Sequence, residues 1–171
     1  LFRKAGIVRC YGREELCTVG NIFTYPEFEG KNIAIITHAG GPAVMLTDAL
    51  SKAGMNIPHI EGAMADELLG KLFAGSAVGN PIDFLATGTP EQLGTIIDYC
   101  DTKFDNIDAM CVIFGTPGLA PIYEAYRVLS EKMKTSKKPI FPILPSTLVA
   151  GDEVKEFVEM GNTYFADETV F

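Results

Sequence analysis

Short apolar runs alternate along the chain with longer segments whose apolar residues recur at helical spacing. The apolar runs, which we interpret as strands, are residues 6–10, 32–37, 55–57, 109–114, 140–144 and 163–165. The segments with helical spacing are residues 14–23, 42–53, 63–73, 90–102, 120–134 and 152–160. Strands and helices that alternate with short connections form right-handed βαβ units around a parallel sheet. The pattern therefore predicts an α/β fold.

The two central strand candidates are apolar at consecutive positions rather than at every second position. Residues 33–36 read Ile-Ala-Ile-Ile, and residues 111–114 read Cys-Val-Ile-Phe. Continuous apolar runs are typical of strands that are covered on both faces. Helices on both faces of a parallel sheet make a doubly wound, three-layer αβα fold, and within that class we expect the flavodoxin-like strand order.

Residues 25–30, which read Tyr-Pro-Glu-Phe-Glu-Gly, interrupt this alternation near the start of the chain. We interpret residues 26–30 as a linker, residues 1–25 as the tail of a preceding domain and residues 31–171 as the flavodoxin-like domain. The chain opens on Leu1 without an initiator Met, so we expect it to be a piece of a longer protein.

The net charge, the lengths of the apolar runs and the cysteine pattern limit which ligands, partners and compartments suit this chain. The formal net charge is −8, which argues against nucleic acid because an acidic surface repels phosphate groups. No apolar run approaches the ~18 residues that a membrane span needs. The four cysteines form no C-x-x-C pair and lie far from both histidines in sequence, which argues against a metal site. Single cysteines inside apolar runs suit a reducing compartment, and we expect a cytoplasmic protein.

The strongest candidate for chemistry is the segment Thr37-His38-Ala39-Gly40-Gly41-Pro42, which follows a strand and precedes a helix. Glycine allows a close backbone approach to a ligand, and Pro42 suits the first turn of a helix. A helix N-terminus offers free N–H groups and a partial positive charge to an anion. The segment predicts an anion site that includes Ala39, Gly40 and Gly41, and the alternative is an ordinary tight turn.

Two further segments follow strands or precede helices in the same way. Gly115, Thr116 and Gly118 come directly after the strand candidate at residues 109–114. Asn80 forms an Asn-Pro pair with Pro81, where the residue before proline is expected to be held extended, and Asp83 follows two residues after Pro81. Ends of adjacent parallel strands share one crevice, so these residues are candidates for a common site. The alternative for the second segment is a plain Asn-Pro turn.

His38 lies beside the glycine pair and is therefore expected near the same crevice. No carboxylate lies within a few residues of it in sequence, so a structural role is the simpler reading, and the same holds for His59. The chain contains no G-x-x-x-x-G-K-[ST] phosphate loop, no G-x-G-x-x-G after a strand and no G-x-S-x-G elbow. The sequence thus offers a site without a complete set of catalytic groups.

Residues 30–42, followed by Asp48 and Ala49, resemble the start of the ligase-type flavodoxin-like domain of ADP-forming acyl-CoA (acetyl-CoA) synthetases, which are relatives of succinyl-CoA synthetase. Residues 79–83, 109–115 and 138–140 fit the same pattern in the same order. Residues 1–10 resemble the segment that leaves the preceding domain of such enzymes. The resemblance extends over residues 1–150.

The resemblance implies a reaction in which acyl-CoA, phosphate and a nucleoside diphosphate give acid, CoA and a nucleoside triphosphate. An acyl phosphate forms first, and its phosphoryl group passes to a histidine and then to the nucleotide. The resemblance also implies partners, namely a CoA-binding domain, a histidine-bearing domain and an ATP-grasp domain. CoA, ADP or ATP, and Mg belong to that parent enzyme, and no cofactor is expected within this chain.

The resemblance assigns the candidate residues as follows. Ala39, Gly40 and Gly41 face the phosphohistidine, which itself lies upstream of Leu1. The residues that face the small-molecule acyl substrate are Asn80, Asp83, Gly115, Thr116 and Gly118. No catalytic residue is implied within this chain. Relatives usually carry Asn at the position of His38, so the resemblance gives His38 no role as phosphoryl carrier.

A second hypothesis from another class is a non-catalytic ligand-binding or regulatory module with a flavodoxin-like fold. The two hypotheses differ in what the parent gene must encode. An ATP-grasp domain together with a histidine-bearing domain upstream of Leu1 favours the synthetase, and the absence of both favours the binding module.

Overall fold

Four parallel strands form the sheet of the computed structural model, which describes residues 1–116, 118, 121–145 and 148–169. The strands are β1 (Ile33–Thr37), β2 (Ile82–Asp83), β3 (Ala109–Ile113) and β4 (Ile140–Ile143). Their order across the sheet is β2-β1-β3-β4, and every pairing is parallel. All residues of β1 and β3 are buried, as their unbroken apolar runs predict. The predicted fold class and strand order are confirmed.

Within these described ranges, six helices and one short 3₁₀ turn (Phe2–Ala5) accompany the sheet. The helices are α1 (Arg13–Ile22), α2 (Gly40–Lys52), α3 (Ala63–Leu69), α4 (Pro90–Thr102), α5 (Tyr123–Thr135) and α6 (Gly151–Glu159). Helices α3 to α6 bury apolar side chains against one face of the sheet, and α2 buries Ala43, Leu46 and Leu50 against the other face. The result is a three-layer αβα arrangement. None of the helices among the described residues is both long and apolar enough to cross a bilayer.

Helix α4 illustrates how closely local sequence sets an element's bounds. It begins at Pro90 and ends at Thr102, as predicted. The Thr89 side chain accepts a hydrogen bond from the Gln92 amide, and the Gln92 side chain accepts one from the Thr89 amide. This reciprocal capping box satisfies two helix-terminal donors, and Pro90 adds a preset backbone angle.

Three of the predicted strands differ in the structure. Residues 6–10 form no strand, and all but Cys10 are exposed, so their apolar side chains have no sheet to pair with. The segments around Asn56 and Phe165 make only isolated parallel bridges, to Asn32 and Ile143. Strand β2 was not predicted, because two residues are too few to show a period. The predicted first residue of α5, Ala120, lies outside the described residues.

The segment before β1 packs on the same sheet face as α2, against Phe141 of β4. The Tyr25 ring lies 4.8 Å from the Phe141 ring, and Phe28 packs against the same cluster. Asn21 Nδ2 donates to the Tyr164 carbonyl at 2.9 Å. Burial raises the pKa of Tyr25 to about 12, so the phenol stays neutral in this position. The division of the chain at residues 26–30 stays a prediction.

Gly30 has a backbone that only glycine accepts readily at this place. Its φ is +109°, and a Cβ on it would collide with the Asp108 carboxylate. Asp108 Oδ2 lies there because it accepts hydrogen bonds from the amides of Lys31 and Asn32, at 2.9 and 2.8 Å. The carboxylate thereby ties the entry of β1 to the entry of β3.

We expect Gly30→Ala to lower the free energy of unfolding by about 3 kcal/mol, because it strains the backbone and displaces the Asp108 hydrogen bonds. Gly54→Ala is the matched control. Gly54 also has a positive φ, +88°, but open space where its Cβ would lie. Only the backbone cost of about 1 kcal/mol is expected there. Urea unfolding measures both, and equal losses would show that the Asp108 contact contributes nothing.

Candidate functional site

The β1–α2 turn, Asp83 and the turn after β3 lie at the carboxyl edge of the sheet, whereas Asn80 precedes β2. In the strand register Thr37 pairs with Asp83 of β2 on one side and with Ile113 of β3 on the other. The residues that follow these three positions therefore leave the sheet side by side. In open α/β sheets this edge is where ligands bind.

Thr37 locks the turn between β1 and α2. It is fully buried, and its Oγ1 accepts a hydrogen bond from the Ala39 amide at 3.0 Å and donates one to the Ala39 carbonyl at 2.8 Å. The Ala39 amide is therefore already occupied within the turn. Sequence reasoning missed this residue, although a hydroxyl three positions before the glycine pair was the available signal.

Gly40 and Gly41 are the first two residues of α2, so the helix begins two positions earlier than the prediction at Pro42. Neither glycine has a positive φ, and a Cβ on Gly41 would meet nothing within 4 Å. Their amides have no acceptor among the described residues, and Pro42 carries no N–H. The fold does not require glycine here. The pair leaves two free donors in open space at a helix N-terminus.

The Asp83 carboxylate lies near the same N-terminus of α2. Its Oδ1 accepts a hydrogen bond from the Leu85 amide at 2.9 Å, and its Oδ2 lies 3.7 Å from where a Cβ on Gly40 would stand. A carboxylate near a helix N-terminus is favourable, because it faces the positive end of the helix dipole. An incoming anion would meet this negative charge beside the free amides.

His38 lies half-buried at the end of β1, with its ring 4.6 Å from the Phe114 ring. Its Nδ1 is buried and has no hydrogen-bond partner within the described part of the chain. Burial lowers the pKa of His38 below its ordinary value of 6.5, while the Ile113 backbone and the Asp83 carboxylate act in the opposite direction. The sequence could not show Asp83 as its carboxylate neighbour, since the two residues meet only through the β1–β2 register.

Asn80 uses its side chain to extend the edge of β1. Its Oδ1 accepts from the Ile35 amide at 2.9 Å, and its Nδ2 donates to the carbonyls of Ile33 and Pro58 at 2.9 and 3.0 Å. The residue has φ +68°, a conformation that Asn tolerates better than most residues. These hydrogen bonds turn the side chain amide towards β1 rather than along the carboxyl edge. A contact between Asn80 and an acyl substrate stays a prediction.

The turn after β3 carries the remaining predicted residues. Gly115 is buried, and Thr116 Oγ1 accepts a hydrogen bond from the Gly118 amide at 3.1 Å. Gly118 has φ +73°, which favours glycine. Pro117, between them, lies outside the described residues. The turn after β3 therefore starts beside the β1–α2 turn. The Thr116 hydroxyl stabilises its own loop through this hydrogen bond.

A separate cleft of about 430 Å³ lies between α1 and the segment at residues 162–167. Cys17, Asn21 and Tyr164 are among its lining residues. None of the predicted site residues lines it. The cleft is a feature of the N-terminal segment's packing and adds nothing to the carboxyl edge.

The structure is that of a flavodoxin-like domain whose first strand leads into a helix N-terminus with two amides that have no acceptor among the described residues. A scan against protein-family models gives no match. The chain is 28% identical, over 99% of its length, to subunit alpha of the ADP-forming acetate–CoA ligase II of Pyrococcus furiosus. It is 30% identical, over 94% of its length, to subunit alpha of the ADP-forming acetate–CoA ligase I of the same organism. The resemblance to ADP-forming acyl-CoA synthetases is confirmed.

The chain spans 38% and 34% of the lengths of these two relatives, so it corresponds to one part of them. A solved protein of Pyrococcus horikoshii has the same fold, with a TM-score of 0.88 and 23% identity over 99% of this chain and 40% of that protein.

We expect Asn80→Ala to lower the free energy of unfolding by about 2–4 kcal/mol, because it leaves β1 backbone groups without partners. The control is Asn56→Ala, which removes one exposed hydrogen bond to Asn32, 3.1 Å long. That change is expected to cost under about 1 kcal/mol. Thermal or urea unfolding measures both, and a loss at Asn80 no larger than at Asn56 would contradict the assignment of its side chain to the sheet edge.

Proposed function

We propose that this chain is the flavodoxin-like ligase module of an ADP-forming acyl-CoA synthetase. The parent enzyme would convert acyl-CoA, phosphate and ADP to acid, CoA and ATP through an acyl phosphate and a phosphohistidine. The observation that carries the proposal is the glycine pair of α2, which leaves two amides free although the fold does not require glycine there. Homology to the acetate–CoA ligase subunits along nearly the whole chain supports it.

The chemical role of α2 follows from its N-terminus. The amides of Gly40 and Gly41 and about half a positive charge from the helix dipole favour a phosphoryl group that is held in front of them. Donors that are fixed before the reaction stabilise charge without reorganisation. Ala39 belongs to this turn as the residue before the helix, but its amide is held by Thr37 and does not donate to the phosphoryl group.

The acyl substrate would lie along the neighbouring strand ends. Asp83 stands on one side of the α2 terminus, and Gly115, Thr116 and Gly118 stand on the side of β3. Asn80 supports this surface from behind by holding the edge of β1. The turns present backbone groups and one carboxylate, which suits a small polar acyl group rather than the nucleotide.

CoA, the nucleotide and the phosphorylated histidine would be held by other domains of the parent enzyme, a CoA-binding, a histidine-bearing and an ATP-grasp domain. Mg would accompany the nucleotide there. Among the described residues no three metal-ligating side chains come together, so no step through a metal is assigned to this chain. We place the enzyme in the cytoplasm, because Cys100 and Cys111 are buried thiols of the core and burial raises the pKa of Cys100 to about 12.

We expect the chain alone to form no ATP from acetyl-CoA, ADP and phosphate, whereas the intact parent enzyme does. The reason is that the phosphoryl carrier and the nucleotide site lie in the other domains. A coupled assay for ATP measures both preparations. Turnover by the chain alone would refute the modular assignment, and absence of turnover in the intact protein would favour a non-catalytic binding module.

We expect Gly41→Val in the parent enzyme to slow phosphoryl transfer to the histidine by at least roughly 10²-fold, the scale of losing one preorganised donor. The branched side chain would fill the open space through which an anion reaches the amides. Because no described residue beyond its own helix turn and chain neighbours lies within 4 Å of that Cβ position, the fold should tolerate the change. Single-turnover phosphorylation measures the rate, and thermal unfolding measures stability.

The matched control is Gly20→Val in α1, another helical glycine with open space around its Cβ position. It should leave the transfer rate within about twofold of the parent enzyme, as expected of a surface position away from special features. Near-normal transfer in a well-folded Gly41→Val variant would reduce the glycine pair to an ordinary turn.

A further inference from the structure

We propose that an open groove at the start of the chain is a docking surface, and that its occupant is an acidic, apolar face of the domain upstream of Leu1 in the parent enzyme. The groove has a volume of about 440 Å³. The residues that line it are Val8, Cys10, Tyr11, Gly12, Arg13 and Leu16. The inference rests on the proposed function for the existence of the upstream domain, and it concerns a surface that lies outside the carboxyl edge.

Exposed apolar side chains are concentrated at this end of the chain. Of the sixteen large apolar side chains that are exposed among the described residues, eight lie within residues 1–23. Three of them line the groove, namely Val8, Tyr11 and Leu16, which are 57%, 79% and 60% exposed. Single exposed apolar residues are ordinary, whereas apolar side chains that are grouped on one surface mark an interaction site.

Helix α1 presents its polar side to the rest of this chain and an apolar residue to the groove. Glu14, Thr18 and Asn21 line the cleft towards residues 162–167, whereas Leu16 lines the groove. The helix has ten residues and buries none of them. A helix of this length is only marginally stable in water unless an apolar side packs against a second body. The polarity of α1 therefore calls for a partner on the side of the groove.

This chain itself does little to hold the groove segment in place. Residues 4–20 make no hydrogen bond or ion pair to any described residue after Thr24. Such bonds begin at Asn21, whose Nδ2 donates to the Tyr164 carbonyl at 2.9 Å. The groove and most of α1 thus lie beyond the last anchor to the sheet.

Charge indicates the chemistry of the occupant. Residues 1–13 contain four basic residues and no acidic one, although the chain as a whole has a net charge of −8. Arg13 lines the groove, and the Arg9 guanidinium carbon lies 4.6 Å from the centre of the Tyr11 ring. Protein interfaces combine an apolar centre with a polar rim of complementary charge. The occupant is therefore apolar at its centre and carries carboxylates around it.

Chain length indicates which body carries that face. The chain spans 38% and 34% of the two acetate–CoA ligase subunits to which it is similar, so proteins of this kind contain further domains. The proposed function places one of them upstream of Leu1. Val8 follows Leu1 by only seven residues, so the connection holds that domain near the groove at a high effective concentration. A second copy of the chain or an anionic membrane has no such tether.

The four cysteines of the chain are the reporters for the test. Cys10 lines the groove, and Cys17 is exposed and lines the cleft on the other side of α1. Cys100 and Cys111 are buried in the core and report whether the fold is intact. The probe is iodoacetamide, and peptide mass spectrometry follows the alkylation of each thiol separately. The rates are measured in this chain and in the intact parent enzyme, each relative to the same protein unfolded in urea.

We expect Cys10 to be alkylated at least roughly tenfold more slowly in the intact parent enzyme than in this chain, because a covered thiol reacts only when the interface opens. Cys17 should keep its rate. Equal Cys10 rates in the two proteins overturn the proposal, and equal protection of Cys10 and Cys17 overturns the assignment to the groove. Protection that depends on the concentration of the parent enzyme indicates a second copy, and protection that needs phosphatidylglycerol vesicles indicates a membrane. Either result overturns the proposed occupant.

Two variants of the intact parent enzyme test the charge and the apolar contact. Arg13→Glu should restore alkylation of Cys10 because it opposes an acidic occupant, and an acidic residue in the first turn favours α1 itself. Leu16→Ala should act in the same direction while improving the helix propensity of α1. The controls are Lys52→Glu in α2 and Leu69→Ala in α3, which make the same changes at exposed positions of other helices. Cys10 that stays protected in both groove variants contradicts the proposal.

The synthetase assay separates this inference from the proposed function. If the parent enzyme forms ATP but Cys10 is as reactive in it as in this chain, the docking surface fails and the function stands. If the parent protein forms no ATP but protects Cys10, and Arg13→Glu removes that protection, the docking surface stands and the function fails.

Discussion

The register of β1 between β2 and β3 is the constraint on which the candidate site depends. Because Thr37 pairs with both Asp83 and Ile113, the backbone leaves three strands at one level of the sheet. A slip of one residue would move each side chain of β1 to the opposite face of the sheet and shift the turns relative to one another. Asn80 fixes the register on the β2 side, where the ladder is only two residues long, by hydrogen bonds to Ile33 and Ile35. Backbone pairing and the Asn80 side chain together therefore fix where the strands end at this edge.

The carboxyl edge carries charges of both signs, although the chain as a whole has a net negative charge. The α2 N-terminus contributes a partial positive charge, and the Asp83 carboxylate beside Gly40 offsets part of it. A ligand in front of Gly40 and Gly41 would meet both charges, and His38, whose pKa is lowered by burial, lies at the same edge.

The sequence predicts those parts of the structure whose signal is local. Consecutive apolar residues define β1 and β3, and the Thr89–Gln92 capping pair with Pro90 defines α4. Strand β2 escapes prediction because its pairing comes from the Asn80 side chain and from β1, not from its own two residues. Residues 6–10 have an apolar pattern but find no neighbouring strand. The use of the Ala39 amide by Thr37, and the meeting of His38 with Asp83, depend on tertiary geometry that no spacing in the sequence displays.

The position of the segment that precedes β1 also depends on tertiary contacts that its sequence does not show. Its composition is that of a linker, yet Tyr25 and Phe28 cover Phe141 of β4 on the same sheet face as α2. The Tyr25 hydroxyl donates to the Thr163 carbonyl at 3.0 Å, and Asn21 bonds to Tyr164, so side chains 138 and 143 residues apart hold the segment at the β4 edge. Helix α1, by contrast, buries no residue. Removing residues 21–30 would take the Tyr25 and Phe28 rings away from Phe141, so these residues contribute to the packing of the sheet.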